Sequence, residues 1–383
     1  MKIVHCCFGS ETYIDDWGYQ QNLLPEYHTK LGHQVTVISS SDVFTKRADQ
    51  NKIKEIKSKG TYYNKNLLKI RRIPSRFRKF KYLHKAKGLY DTLKKEKPDI
   101  IFFHGIVNLS VLSCYRYVKY NKTVSLFIDN HGDLQNISKN KLYQQLYYKL
   151  IWKNIHRFIK SNVKQYFGVT IGRCDFLKEF LGIPNDKISL LPIGADVDSY
   201  KSIGSSKLIL REKYGIKEDE IIIIHGGKLD KSKGTVDLIK AFYDLKKNHI
   251  SLKLILFGRI DDNDILRLLS NDILTFDWLS RSQTFEIMKI ADLAIWPIHH
   301  TTLIEDCIAA NLPYLIRKTT TTEHLIKSNF FLRSGNYEEI KEQISFLLTS
   351  NNLVRLQNDL KEIKSEINYY SIAQKVIDYH NQN

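Results

Sequence analysis

Short apolar runs alternate with longer amphipathic stretches along most of this chain. The clearest run is residues 221–224, isoleucine at every position. It predicts a strand buried on both faces, as in a parallel sheet. His225, Gly226 and Gly227 follow and are read as a tight turn, because glycine lets backbone pass close to a ligand. From 234 to 247, Val236, Leu238, Ile239, Phe242 and Leu245 fall on one side of a helix. Earlier in the chain the same alternation predicts strands at 2–8, 34–39, 66–73, 100–103, 123–128, 163–170 and 188–191. Helices are expected over 19–31, bent or restarted at Pro25, and over 82–95 and 141–160. A turn cluster, Pro192-Ile193-Gly194-Ala195-Asp196, separates this series from a second one. There the predicted strands are 221–225, 252–257, 273–276, 292–296 and 313–316. Helices at 262–270, 282–290 and 303–310 lie between them, and an aromatic-rich helix at 368–380 ends the chain. Strands alternating with helices in two series predict α/β architecture with two doubly wound parallel sheets.

A length of 383 residues suits two domains. No apolar run approaches the ~20 residues that span a bilayer. The start, MKIVHCCFGS, turns polar too soon for a signal peptide and reads as the first strand. Five cysteines without a C-x-x-C spacing point to reduced cytosolic thiols, not a disulfide framework or a zinc site. The net charge of +18 changes the picture because it is uneven. Residues 52–97 hold 17 Lys/Arg against three acids, whereas residues 207–365 hold 23 against 22. A basic first half implies a polyanionic partner: anionic lipid headgroups, a polyprenyl-diphosphate or a teichoic-acid-like polymer. The segment KLYQQLYYKLIWKNIHRFIKS mixes Tyr, Trp and Lys as interfacial helices do, and core packing explains its apolar side equally. The expected location is cytoplasmic, peripheral at the inner face of the cell membrane.

Lys228 and Lys233 flank the glycine turn, so a phosphate there would meet ammonium charge and backbone N–H groups together. An ordinary βα turn with solvated lysines is the alternative. The spacing G-K-L-x-x-x-K-G resembles the G-R-L-x-x-x-K-G signature of family 4 glycosyltransferases. The resemblance implies the GT-B fold, two Rossmann-like domains facing a cleft, and transfer with retention. It implies an acceptor-binding domain at 1–196, completed by a crossing helix at 366–383, and a nucleotide-sugar-binding domain at 197–365. Pro192 to Asp196 resembles the family's P-x-G-x-D connection between the two. Gly227, Lys228 and Lys233 are then diphosphate-binding residues. Lys228 stands where arginine is usual, keeping the charge but losing bidentate geometry.

Glu305 opens E-D-C-I-A-A-N-L-P, which resembles the family's E-A-x-A-x-G-x-P with Asn311 in the glycine's place. The resemblance makes Glu305 a clamp for ribose hydroxyls; by itself it reads as a helix-end acid favoured by the macrodipole. The family's earlier glutamate, eight residues upstream, is Pro297 here. His299, His300, Thr301 and Thr302 are expected to take over its sugar contacts, the threonines also as N-caps. His131, in D-N-H-G after a strand, matches a family histidine facing the reacting sugar, with Asp129 to orient it. In the first loop, Gly18 offers backbone amides, Asp15 and Asp16 offer acceptor-binding carboxylates, and Trp17 offers a stacking face.

These expectations describe a retaining glycosyltransferase that uses a nucleotide-diphosphate sugar, a UDP-sugar favoured, without cofactor or metal. Lys228, Lys233 and His131 would be its catalytic groups, the lysines stabilising the leaving diphosphate. A glycan or lipid-linked acceptor would supply the attacking hydroxyl. One alternative is a nucleotide-sugar epimerase on the same fold; another is a degenerate, non-enzymatic polyanion binder. No nucleic-acid-binding module is recognisable, and nothing in the sequence sets an oligomeric state.

Overall fold

The computed structural model describes residues 1–42, 50–76, 84–132, 144–248, 251–349 and 351–382. The chain divides into two compact units, Met1–Pro192 with Tyr369–Asn383, and Ile193–Asn368.

The first unit is built on a sheet of eight strands. In chain order these are β1 (Lys2–Cys7), β2 (Gln34–Ser40), β3 (Tyr62–Lys65) and β4 (Leu68–Ile73). After a small pair, β5 (Ser75–Arg76) and β6 (Lys85–Ala86), come β7 (Ile100–His104), β8 (Ser125–Asn130), β9 (Gln165–Gly168) and β10 (Ile188–Leu190). The sheet order is β10-β9-β8-β7-β1-β2-β4-β3. The chain therefore winds outward from β1 and then starts again on its other side at β7. The place between β1 and β7 is the topological switch point, where open α/β sheets leave a crevice beyond the strand ends. β7 is buried along its whole length, and β1 and β8 are buried from their second residue on. That accounts for the apolar runs within them, Ile100–Phe103 in β7 and Leu126–Ile128 in β8.

The edge departs from the expected all-parallel sheet. Where one strand was expected over 66–73, Asn66 turns in the left-handed region (φ 54°) and joins β4 to an antiparallel β3. β3 alternates exposed and half-buried residues, the pattern of a short edge strand. The helix Gln20–Lys30 runs through Pro25 without restarting. Proline supplies no N–H to the carbonyl of Gln21; that oxygen instead faces the Cys7 thiol at 3.9 Å. Of the helix expected over 141–160, residues 141–143 lie outside the described ones. The rest winds as a π-helix from Gln144 to Trp152 and as an α-helix from Lys153 to Ile159. The helix expected over 82–95 runs from Leu89 to Glu96 behind a left-handed Gly88; residues 82 and 83 are outside the described ones. The final helix, Tyr369–Asn381, belongs to this unit: Tyr369 stacks on Tyr27 with ring centres 5.2 Å apart.

The second unit is a five-stranded parallel sheet. Its strands are β11 (Ile221–Leu229), β12 (Leu252–Ile260), β13 (Ile273–Phe276), β14 (Leu293–Trp296) and β15 (Tyr314–Ile316), in the order β13-β12-β11-β14-β15. The chain again reverses direction, here between β11 and β14. The expected boundaries at 196 and 366 move to Pro192 and Tyr369. The amide of Ala195 donates to the Ile367 carbonyl at 2.8 Å and so ties the turn cluster into the second unit.

The turn expected at His225–Gly227 is not a turn. β11 continues to Leu229, and Gly227 pairs with Gly258, Lys228 with Arg259 and Leu229 with Ile260. Glycine serves other ends here: a Cβ on Gly226 would lie 2.2 Å from the Phe257 ring, Gly227 has open space but φ +116°, and the backbones come too close for a side chain at Gly258. A Cβ on Gly258 would lie 2.1 Å from the Gly227 carbonyl oxygen, and φ there is +109°. The turn comes later, at Asp230–Gly234, with Lys231–Lys233 in a single 3-10 turn. Gly258→Ala should therefore destabilise the second unit by on the order of 3 kcal/mol. Thermal unfolding should show a clear fall in Tm; an unchanged Tm would mean the strands part without cost.

Candidate functional site

In the second unit, the candidate residues sit at the carboxyl ends of β11, β14 and β15. His225 fixes the first of these. Its Nδ1 lies 2.7 Å from the Ile295 carbonyl and its Nε2 3.0 Å from Thr235 Oγ1, so it latches β11 to β14 and to the helix Thr235–Lys246. Burial pushes its imidazole down to about 4, so this is a neutral structural histidine. Beyond it, Lys228 is 58% exposed and pairs with Asp230 at 3.3 Å. Lys233 is half-buried, just before Gly234 and the helix. Its charge, with that of Arg317 beyond β15, bears on His299, whose imidazole is lowered by burial first and by those two cations next. The positive charge gathered here thus includes Arg317, which no local sequence pattern marks.

The loop after β14 is clasped between two glycines. A Cβ on Gly335 would lie 2.1 Å from the Pro297 carbonyl oxygen, and one on Gly234 would lie 3.0 Å from the Pro297 side chain. A proline, compact and fixed at φ, suits this place, where the family resemblance led to the expectation of a glutamate. Thr302 occupies the N-cap position of the helix Leu303–Ala310, but its side chain makes no capping bond. The Thr301 hydroxyl is 3.5 Å from the Leu303 amide, a weak contact.

Glu305 is 1% exposed. One carboxylate oxygen lies 2.8 Å from His300 Nε2, while the other, Oε2, is buried with no partner among the described residues. A buried carboxylate oxygen left unpaired is expensive, so a ligand hydroxyl donating to it would be favoured. Asn311, in the place of the motif's expected glycine, has φ +54° and ends the helix in the left-handed conformation that asparagine tolerates. Beside Glu305, Asp306 is held by Arg281 at 2.9 Å, and Arg281 also reaches Asp196 at 3.0 Å. Asp196 thus serves a buried ionic cluster within the second unit.

In the first unit, His131 follows β8 at the switch-point end of the sheet. Its Nε2 lies 3.2 Å from Asp129 Oδ2, which also meets His104 Nδ1 at 2.7 Å. Burial pushes the His131 imidazole down, but Asp129 pushes it up more, leaving it above its usual value. The first loop is more internally bound than its polarity suggested. Asp15 is fully buried and accepts from Tyr63 at 2.9 Å and Lys59 at 3.1 Å. Asp16 is exposed and pairs with Lys65 at 2.7 Å and Lys52 at 3.0 Å. Lys65, then Lys52, hold its carboxyl at about 2 against a smaller burial penalty. The Trp17 ring meets Tyr19 edge-on at 5.4 Å. Gly18 precedes Tyr19, the N-cap of the helix Gln20–Lys30.

Comparison with known proteins agrees with both units. A profile described as "Glycosyl transferases group 1" matches residues 206–366, and one described as "Glycosyltransferase Family 4" matches residues 23–199. The chain is similar to an alpha-galactosylglucosyldiacylglycerol synthase of Streptococcus pneumoniae, with 21% identity over 58% of this chain and 65% of the relative. It is similar also to an alpha-monoglucosyldiacylglycerol synthase of Acholeplasma laidlawii, with 27% identity over 50% of this chain and 49% of the relative. The matches thus span less than two thirds of either relative's length. Among solved structures, Anabaena HepE in complex with UDP and glucose superposes over the whole of both chains, with a TM-score of 0.66 and 14% identity. Two Rossmann-like domains of the GT-B type are common to both.

The Arg281 cluster yields a pH-dependent expectation. Burial raises Asp306, and Arg281 opposes that rise. Arg281→Ala leaves the carboxylates of Asp196 and Asp306 buried without their cation, at a cost of about 3–5 kcal/mol. A carboxyl whose folded pKa is raised takes up a proton on folding, so the cost is full above the raised value and shrinks below it. Urea unfolding at about pH 8 and about pH 5 should show the gap to wild type narrowing on the acid side. A constant gap would exclude a titrating cluster.

Proposed function

We propose that this chain, which belongs to the family 4 glycosyltransferases, moves a sugar with retention from a nucleotide-diphosphate donor to a hydroxyl of a lipid-linked or surface-glycan acceptor. The observation that carries the reading is the pairing, at one sheet end, of a cationic cluster with the orphaned oxygen of Glu305. A nucleotide-sugar needs both: cations and helix N–H groups for its diphosphate, and a carboxylate for its ribose hydroxyls. In this reading Glu305 Oε2 accepts from the ribose, and Lys228 and Lys233 meet the diphosphate, with Gly227 allowing close backbone approach. His299, His300, Thr301 and Thr302 line the sugar. A UDP-sugar is the favoured donor, in keeping with the UDP bound to HepE.

As the glycosidic bond to the diphosphate lengthens, negative charge grows on the leaving group. The lysines act on that charge more strongly in the transition state than in the ground state, which is what lowers a barrier. They supply this charge without a divalent ion or cofactor. His131, backed by Asp129, would hydrogen-bond the reacting sugar or the acceptor. Gly18, Asp15, Asp16 and Trp17 remain the candidate acceptor contacts; the lysine pairs of the two aspartates would open or extend to the acceptor. Epimerisation on the same fold is the lesser reading, since the diphosphate and ribose contacts serve both reactions but the relatives' names describe glycolipid synthases.

Those names also support a lipid-linked acceptor. No helix among the described residues is long and apolar enough to cross a membrane. A membrane surface is reached instead through the basic first unit. On the helical stretch 144–159, Leu146, Leu150, Ile151 and Phe158 are exposed beside the exposed Lys149, Lys153 and Arg157. Exposed apolar side chains among cations suit an anionic interface. No nucleic acid partner is proposed.

Transfer assays test the donor site. Lys233→Ala should lower kcat about 10²–10³-fold, the typical cost of one electrostatic donor. Glu305→Ala should raise the nucleotide Kd, Lys228→Arg should keep most activity, and EDTA should leave turnover intact. Near-normal turnover in Lys233→Ala would remove the diphosphate assignment, and strict need of a divalent ion would remove the mechanism. Separately, the protein should sediment with anionic liposomes at low salt and leave them at high salt. Reversing charge at Arg71, Arg72 and Arg76 should weaken this, as at Arg78 and Lys79, which lie outside the described residues. Arg72 is itself buried, bonded to the Tyr13 and Ser40 carbonyls, so Arg71 is a cleaner site than Arg72. Equal binding to neutral liposomes would argue against the ionic surface.

A further inference from the structure

Three histidines with no part in the proposed reaction lie in a row behind His131. His28 is on the helix Gln20–Lys30, His5 in β1 and His104 at the end of β7. All are fully buried, and the rings of His5 and His104 pack against Phe102. The row begins at the backbone carbonyl of Ala373, 3.1 Å from His28 Nε2. His28 Nδ1 is 3.0 Å from His5 Nε2, and His5 Nδ1 is 3.0 Å from His104 Nε2. His104 Nδ1 ends the row 2.7 Å from Asp129 Oδ2, the oxygen that also faces His131.

Each of these four links needs one proton. Both ends only accept, one being a peptide carbonyl and the other a carboxylate. Three neutral imidazoles carry three protons. The Ala373 carbonyl fixes the first proton on His28 Nε2, so His28 Nδ1 accepts from His5 Nε2, and His5 Nδ1 accepts from His104 Nε2. A neutral His104 would then turn a bare nitrogen toward a carboxylate at hydrogen-bonding distance. We propose that the row His28–His5–His104 holds one proton more than three neutral imidazoles, balanced by Asp129, and that this buried charge sets the protonation of His131. The three are positioning residues, and the inference does not rest on sugar transfer.

Two observations favour this distribution. Burial holds His5 well below the usual imidazole range and His28 at about 3, so neither is a good seat for the charge. It settles on His104, against the carboxylate. Burial opposes the charge on Asp129 too, yet His104 and His131 together hold its carboxyl far below the ordinary range. A proton also fits the spacing better than a metal ion. Two ligand atoms at 2.0–2.1 Å from a tetrahedral ion stay about 3.3 Å apart, wider than the 2.7 Å between His104 Nδ1 and Asp129 Oδ2.

The row is closed at Ala373, so it stores charge and conducts none away. With the extra proton in place, Asp129 is already balanced, and His131 need not become a cation to balance it. Without it, His131 is the remaining titratable group that can balance that carboxylate, whose Oδ1 already accepts from the Gly105 amide at 2.7 Å. Other charges act on the two ends: Glu11 raises His131 and Arg173 lowers it, while His33 lowers His28. None of these is altered in the test.

The test separates proton count from packing. His28→Leu frees His5 from the carbonyl, so two neutral imidazoles satisfy the two remaining links and no extra proton is needed. His28→Gln keeps a donor for Ala373 and an acceptor for His5, so the extra proton stays. In histidine labelled with 15N at both ring positions, the wild type and His28→Gln should show one doubly protonated imidazole among His5, His28 and His104 at neutral pH. His28→Leu should show none. The His131 ring titration, assigned by its loss in His131→Gln, should move up by about one pH unit in His28→Leu and stay put in His28→Gln. Three neutral imidazoles in the wild type, or the same His131 midpoint in His28→Leu, would overturn the proposal. If His28→Leu does not fold, the wild-type imidazole count alone decides.

Discussion

Parallel strands buried on both faces give polar side chains one way out, at the strands' carboxyl ends. That constraint orders this molecule. β1, β7 and β8 carry buried apolar runs and end at Cys7, His104 and Asn130; β11, β14 and β15 end at Leu229, Trp296 and Ile316. Nearly every residue with chemistry to offer follows one of these ends within a few positions. His131, Lys233, His299, Glu305 and Arg317 are not scattered along the sheets but lie on one rim of each.

The same constraint explains what the sequence disclosed. The isoleucines at 221–224 and the amphipathic stretch after 234 are local patterns, and they appear where expected. Gly226 and Gly227 misled because glycine's commonest use is the turn; Gly226 instead makes room for the Phe257 ring of the neighbouring strand, which no local window contains, and Gly227 takes φ +116°. β3 was missed because a short edge strand with two half-exposed faces carries no apolar signal. Asp15 and Asp16 read as acceptor-binding carboxylates of a polar loop, yet Lys52 and Lys59, in and just after the helix Gln50–Ser58, and Lys65 of β3 pair with them. Glu305 was legible through its motif, whereas Arg317 had no motif to announce it. His5, His28 and His104 are far apart in the chain, and only the strand order brings them into line.

Each unit buries carboxylates, and each answers with a different cation. Asp196 and Asp306 share Arg281, which stays charged at any physiological pH. Asp129 is met by imidazoles, which do not. The arginine cluster is a fixed fastener behind the Glu305 helix. The imidazole cluster can change its charge, and it lies directly behind His131.

The last helix has a consequence for how the protein is made. Tyr369 stacks on Tyr27, and Ala373 supplies the carbonyl that terminates the histidine row, so the first unit is finished by residues that follow the whole of the second. On a ribosome, chain order and folding order therefore cannot coincide. The N-terminal sheet emerges first but lacks its closing helix until Tyr369–Asn381 has been translated. At about 5–20 residues per second, the second unit, which is continuous in sequence, can close within that interval. The half-built first unit waits through it with the apolar face around Tyr27 open, a window in which a nascent-chain chaperone has something to hold.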